Sequence, residues 1–268
     1  MIFINGKEIN LRRFPDNTLL VKFVNKSYSC TIRWRYESDD ELFAVYCLKR
    51  HIDNNSRGRN ITTTLQMDYI PNARQDRVKN QEDVFTLKYF AEIINSMKFD
   101  SVEVLDPHSN VAPALLNNVV VKNPSDKIAD AYFRAQKETD GSAILLFYPD
   151  EGSCKRYSGL FSTPHAFGIK NRNWETGEIE GLSVFGNTEL IKDNNILIID
   201  DICSKGGTFY HSAKKLKELG ANKIFLFVTH CENTILDGDL LDSGLIEKVY
   251  TTDSLLNKEH ERIEVLTS

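Results

Sequence analysis

The sequence predicts an α/β protein of two domains, each a mostly parallel sheet flanked by helices. Three observations predict it. Short apolar runs, AILLFY at Ala143–Tyr148, NILII at Asn195–Ile199 and KIFLFV at Lys223–Val228, have the length and composition of strands buried on both faces. Amphipathic segments separate such runs, and alternating strands and helices build parallel sheets. The runs are followed by charged, polar or glycine residues, and open parallel sheets bind ligands outside the carboxyl ends of their strands.

In chain order, Thr31–Arg35, Ile61–Gln66 and Ser101–Leu105 are the expected strands of the first half, with helices at Asp39–Arg50 and Asp83–Met97. Asn123–Lys127 (NPSDK) gathers turn and N-cap residues and divides the chain into expected domains 1–123 and 124–268. Helix Ile128–Glu138 then opens the second domain. After the AILLFY strand, Lys170–Gly186 is rich in Asn, Glu and Gly without clear periodicity and reads as a charged loop. Between the NILII and KIFLFV strands, Thr208–Leu219 is an expected helix. It carries Phe209, Ala213, Leu216 and Leu219 on one side, and Gly220 is its stop.

Composition narrows the function classes. With 41% hydrophobic and 26% charged residues the chain is ordinary globular, and its net charge of −5 offers no general attraction for nucleic acid or an anionic membrane. Any anion site is therefore local. The N-terminus lacks an apolar core of signal-peptide length, and no stretch approaches 18 apolar residues. Five scattered cysteines without a CxxC pair argue against a zinc cage or disulfide framework. The expectation is a cytoplasmic protein with neither a membrane nor a nucleic-acid partner.

The strongest chemical signal is Ile198–Thr208, IIDDICSKGGT: an apolar strand, two carboxylates, a glycine-containing loop and a helix start. A helix N-terminus presents unpaired N–H groups, and a Gly-Gly turn lets amides close around phosphate oxygens. Asp200 and Asp201, just before that loop, suit ribose hydroxyls or a cation held beside a diphosphate. A plain βα turn with Asp caps is the bland alternative. Cys203, within the loop, reads as a small filler rather than a redox group.

This segment resembles the ribose-phosphate loop of type I phosphoribosyltransferases and, more closely, that of phosphoribosyl pyrophosphate synthetases. Other blocks follow in that family's order: FPDNT at Phe14–Thr18, NARQDR at Asn72–Arg77, LDPHS at Leu105–Ser109, YPDEGSCKR at Tyr148–Arg156, IKNR at Ile169–Arg172 and TTDS at Thr251–Ser254. The resemblance implies two related phosphoribosyltransferase-type domains and transfer of the β,γ-diphosphoryl group of ATP to the 1-hydroxyl of ribose 5-phosphate. It implies ATP contacts at Phe14, Asp16, Arg74, Gln75 and Asp76. The ribose phosphate would lie on Asp200, Asp201, Ser204, Lys205, Gly206, Gly207 and Thr208. Magnesium would be held near Asp106, His108 and Asp150; Asp106 and His108, two apart at a strand end, are expected on one face. Lys170, Arg172 and His108 would be catalytic, the first two on a mobile lid, and the assembly a homo-oligomer, dimer or hexamer.

The chain also departs from the pattern. Set against the family's pattern, the chain is expected to lack the first βα unit before FPDNT, and the family's glutamate there falls on Thr18. The family loop DDxxDT(A/G/C)GT becomes DDICSKGGT, so Ser204 and Lys205 replace an aspartate and a threonine. That exchange keeps a second acceptor in view, a ribose phosphate extended through its phosphate such as ADP-ribose. Two other readings are a phosphoribosyltransferase and a non-catalytic paralogue that binds synthetase subunits.

Overall fold

The computed structural model describes residues 1–24, 27–56, 60–172 and 179–267, and of residues 170–172, 179 and 180 only the backbone. The chain divides into two compact units, Met1–Asn123 and Pro124–Ser268.

The first unit begins with β1 (Ile2–Ile4), β2 (Lys7–Glu8) and a small hairpin of β3 (Arg12–Arg13) and β4 (Leu19–Leu20). There follow β5 (Ser29–Trp34), α1 (Asp40–Asn54), β6 (Thr62–Met67), α2 (Thr86–Ser96), β7 (Ser101–Leu105), α3 (Val111–Leu115) and β8 (Val119–Lys122). The sheet order is β2-β1-β5-β6-β7-β8. Strands β5 to β8 are parallel, and β1 and β2 are added antiparallel at one edge. Ile32, Trp34, Leu65, Met67, Val102 and Val104 carry its core, closed by Ala44, Val45 and Leu48 of α1 and Leu87, Phe90 and Ile94 of α2. The α2 helix starts three residues later than expected. Asp83 instead accepts from the amides of Lys79 and Asn80 at 2.8 and 2.9 Å, closing a turn ahead of the helix.

The second unit contains α4 (Ser125–Lys137), β9 (Ile144–Tyr148), α5 (Glu151–Tyr157), β10 (His165–Arg172), β11 (Ile179–Gly186), β12 (Asn195–Cys203), α6 (Gly207–Glu218), β13 (Ile224–Cys231), β14 (Lys248–Thr251) and β15 (Ile263–Val265). Its sheet runs β11-β10-β9-β12-β13-β14-β15, parallel except for β11, which returns antiparallel beside β10. The alternation of side chains makes two cores. Leu145, Phe147, Ile196, Ile198, Leu226 and Val228 pack with Phe209, Ala213 and Leu216 of α6. Ile144, Leu146, Leu197, Ile199, Phe225 and Phe227 pack with Ile128, Ala131 and Ala135 of α4. Burying a side chain such as Phe209 or Leu216 contributes about 1.5–3 kcal/mol.

The expected loop Lys170–Gly186 is corrected here. Its ends belong to the β10–β11 hairpin, with Lys170 opposite Leu182 and Arg172 opposite Ile179 across a register shift. Sheet order places the site: β10 lies on one side of β9 and β12 on the other, so the connections diverge between β9 and β12. A crevice at the carboxyl ends of such a strand pair is where open α/β sheets hold ligands.

Candidate active site

Strand β12 continues to Cys203, so Asp200 and Asp201 lie within its last turn of pleat. The Asp201 amide donates to Asp200 Oδ1 at 3.0 Å. Asp201 is only 4% exposed, and its Oδ2 meets the Arg156 guanidinium at 3.2 Å. Arg156 comes from α5, where it lies 5.5 Å from the centroid of the Tyr157 ring. Asp150 caps that helix: its Oδ1 accepts from the Ser153 amide at 3.0 Å, and its own amide donates to Ser153 Oγ at 3.3 Å. The expectation for Asp150 is a metal contact; its carboxylate also serves here as a helix N-cap. Burial first, then the charges of Asp201 and Asp150, hold the Asp200 carboxyl well above the usual carboxylate range.

Beyond β12 the chain turns through Ser204, Lys205 and Gly206, whose φ of 83° is the left-handed conformation glycine adopts freely. Helix α6 then starts without a side-chain cap, leaving its first amides facing the loop as an anion-binding end. The segment after β13 pins the loop. The Glu232 amide donates to the Cys203 carbonyl at 2.8 Å. Ser204 Oγ and Thr234 Oγ1 are 3.1 Å apart, and Thr234 Oγ1 donates to Glu232 Oε2 at 3.0 Å. A Cβ on Gly238 would stand 2.0 Å from the Lys205 carbonyl oxygen, so only glycine fits beneath the loop. Lys205 is exposed, and among the described residues no hydrogen bond or ion pair occupies its ammonium. Cys203 and Cys231 are register partners; their mutual hydrogen bond and burial push the Cys203 thiol well up, as suits a filler. The TTDS block is tied to β13, since Thr252 Oγ1 and Ser254 Oγ both donate to the Thr229 carbonyl, at 2.6 and 3.1 Å.

In the first unit, Phe14 stands 49% exposed at the tip of the β3–β4 hairpin. Asp16 Oδ1 accepts from the Thr18 amide and hydroxyl at 3.0 and 2.7 Å, and these bonds hold its carboxyl below the usual range. Arg74 is exposed, and Gln75 Oε1 accepts from the Thr86 hydroxyl. Asp76 turns inward at 5% exposure, its carboxylate gripped by Arg77 at 2.7 and 3.1 Å. The Arg77 bonds, then one from Ser109 and the neighbouring His108, lower the Asp76 carboxyl. The expectation that alternation aligns Asp106 and His108 fails. Strand β7 ends at Leu105, and Asp106 takes a left-handed φ of 41° with 4% exposure, so the extended period stops there.

Among the described residues no group of three or more His, Cys, Asp or Glu is arranged as a metal cage, and no helix is long and apolar enough to cross a membrane. The side chains of Lys170 and Arg172, and residues 173–178 of the expected lid, lie outside what is described.

No protein-family model matches the chain. Over 229 residues it is 26% identical to a ribose-phosphate pyrophosphokinase of Pyrococcus furiosus, covering 83% of this chain and 77% of that protein. A ribose-phosphate pyrophosphokinase of Bradyrhizobium diazoefficiens is 27% identical over 259 residues, covering 92% and 77%. The chain is a divergent relative of the ribose-phosphate pyrophosphokinases. A phosphoribosylpyrophosphate synthetase from Mycobacterium smegmatis matches 97% of this chain and 86% of its own at a TM-score of 0.75 and 17% identity, which shows a common fold. In this pyrophosphokinase relative, sequence reasoning passed over Arg156, Glu232, Thr234 and Gly238. Arg156 closes the YPDEGSCKR block but nothing in the sequence ties it to the acid pair, and the other three carry no local signal.

Proposed function

We propose that the chain is a ribose-phosphate diphosphokinase, transferring the β,γ-diphosphoryl group of ATP to the 1-hydroxyl of ribose 5-phosphate to give phosphoribosyl pyrophosphate and AMP. The observation that carries this reading is the acid pair Asp200–Asp201 beside the uncapped N-terminus of α6, at the divergence of β9 and β12. Asp200 and Asp201 orient the ribose hydroxyls. The amides of Gly206, Gly207 and Thr208 receive the phosphate. In the first unit, Phe14 stacks on the base, and Asp16, Arg74, Gln75, Asp76 and His108 take the nucleotide. Lys170 and Arg172 neutralise charge on the transferring group.

The donor set suits magnesium brought in on ATP. Asp150, Asp200 and Asp201 are oxygen donors whose crowding leaves negative charge for a cation to offset, and magnesium commonly takes only one or two carboxylates besides phosphates and water. When bound, it would neutralise the β- and γ-phosphate oxygens. The reading includes a homo-oligomer, dimer or hexamer. Incubation with ATP, magnesium and ribose 5-phosphate tests it: AMP should appear in step with sugar consumption. ADP as product overturns the diphosphokinase assignment, and absence of turnover favours the non-catalytic paralogue.

Lys205 favours a second reading. Its backbone is pinned while its ammonium is exposed and unpaired among the described residues, a cation placed to follow a second phosphate. The acceptor would then be a ribose phosphate extended through its phosphate, such as ADP-ribose. Comparing kcat/KM for the two sugars at saturating ATP decides it. Lys205→Thr should shift the ratio towards ribose 5-phosphate, and an unchanged ratio removes the loop as selector.

A further inference from the structure

The hydroxyl of Ser204 belongs to a hydrogen-bonded chain with a fixed direction. Glu232, at the end of β13, presents a carboxylate, which only accepts. Thr234 Oγ1 donates its one proton to Glu232 Oε2 at 3.0 Å. With that proton used, Thr234 Oγ1 meets Ser204 Oγ, 3.1 Å away, as an acceptor, and the Ser204 proton must point at Thr234. No other hydrogen bond of the Ser204 or Thr234 side chains is present among the described residues. Ser204 Oγ therefore offers the loop only lone pairs. All three side chains are partly exposed, so a ligand on the loop can reach the serine oxygen.

A phosphate monoester above its second ionisation is a dianion with no proton to give an acceptor, whereas a sugar hydroxyl donates readily. We propose that Ser204 is a specificity-determining residue held acceptor-only by Thr234 and Glu232, so that it accepts a hydrogen bond from a hydroxyl of the sugar and leaves the phosphate to the backbone amides and Lys205. This rests on the reading of Ser204–Thr208 as a sugar-phosphate loop and gives one of its members a different task. The exchange of aspartate for serine in the loop motif then preserves the polarity of the position while removing its charge, with the carboxylate moved two hydrogen bonds away to Glu232.

The test separates sugar from phosphate. Binding of ribose 5-phosphate and of methyl phosphate, both as proton-free monoester dianions above their second ionisation, is measured by calorimetry on the intact chain and on Ser204→Ala. The sugar phosphate should bind about 5- to 10-fold more weakly, the worth of one neutral hydrogen bond, with phosphate affinity unchanged. Equal losses for both ligands would mean that Ser204 donates to phosphate, and no loss for either that it touches neither; each overturns the proposal. Thr234→Val frees the serine proton, so its sugar affinity should fall while phosphate affinity holds or rises, and Thr234→Ser should restore the sugar affinity. Sugar binding unchanged in Thr234→Val would show that Thr234 does not set the serine's direction. An unmutated chain that binds methyl phosphate but not ribose 5-phosphate fails the loop reading itself, and the proposal falls with it.

Discussion

Asp200 is moved by folding away from water and towards Asp201 and Asp150, and so binds its proton more tightly than in the unfolded chain. A raised folded value means that its contribution to stability is full below the ordinary carboxylate value of 3.8 and is lost as pH rises through the raised one. Above the ordinary carboxylate range the crowded site is therefore maintained against stability. Asp200→Asn removes that burden: the thermal midpoint should rise at about pH 7, and the gain should shrink towards about pH 4, while turnover collapses. Equal midpoints for variant and parent at both pH values would show that Asp200 is not crowded. The acid pair and glycines were legible because strand, loop and helix start are contiguous in sequence. The Arg156–Asp201 pair and the Ser204–Thr234–Glu232 chain were not, because each joins side chains from segments far apart in sequence and has no periodic or spacing signature. Asp106 misled the reading because alternation was extended from the strand end at Leu105 out to His108.

At the scale of elements, the loop after β12 keeps its shape through what lies beneath it. Gly238→Ala places a carbon 2.0 Å from the Lys205 carbonyl oxygen, so the backbone on one side must yield. Overpacking of this kind costs about 1–3 kcal/mol. The midpoint of denaturant unfolding should fall accordingly, with sugar-phosphate affinity falling alongside; a stable variant with full affinity would show the contact to be loose. The β10–β11 hairpin carries the other prediction. Lys170→Ala and Arg172→Ala should each lower kcat by about 10²–10³-fold, as loss of a transition-state donor does, with much less change in ATP affinity. Retention of half the parent kcat would remove that residue from the chemistry. Strands β9, β12 and β13 were readable because each is an apolar run enclosed by helices on both faces. The N-terminal strands β1 to β4 escaped because two or three residues are too few to show a period. Strand β11 escaped because it sits at a sheet edge, where glycine, serine and exposed phenylalanine blur the pattern.

For the whole molecule, the two units divide the proposed labour, with the nucleotide residues before Asn123 and the sugar-phosphate loop after Pro124. Hydrogen exchange should register this separately. Ribose 5-phosphate alone should slow exchange in Cys203–Thr208 and across 232–240, and a nucleotide alone in Asn72–Arg77. Sugar-phosphate protection confined to the first unit would reverse the assignment. The cysteines make the molecule its own reporter. Cys30, Cys203 and Cys231 are sealed in the cores, whereas Cys47 on α1 and Cys154 on α5 are partly open to solvent, one in each unit. A thiol-directed dye pair would settle on those two positions without any engineered mutation. Energy transfer between them would then follow the distance between nucleotide and sugar units through a catalytic cycle.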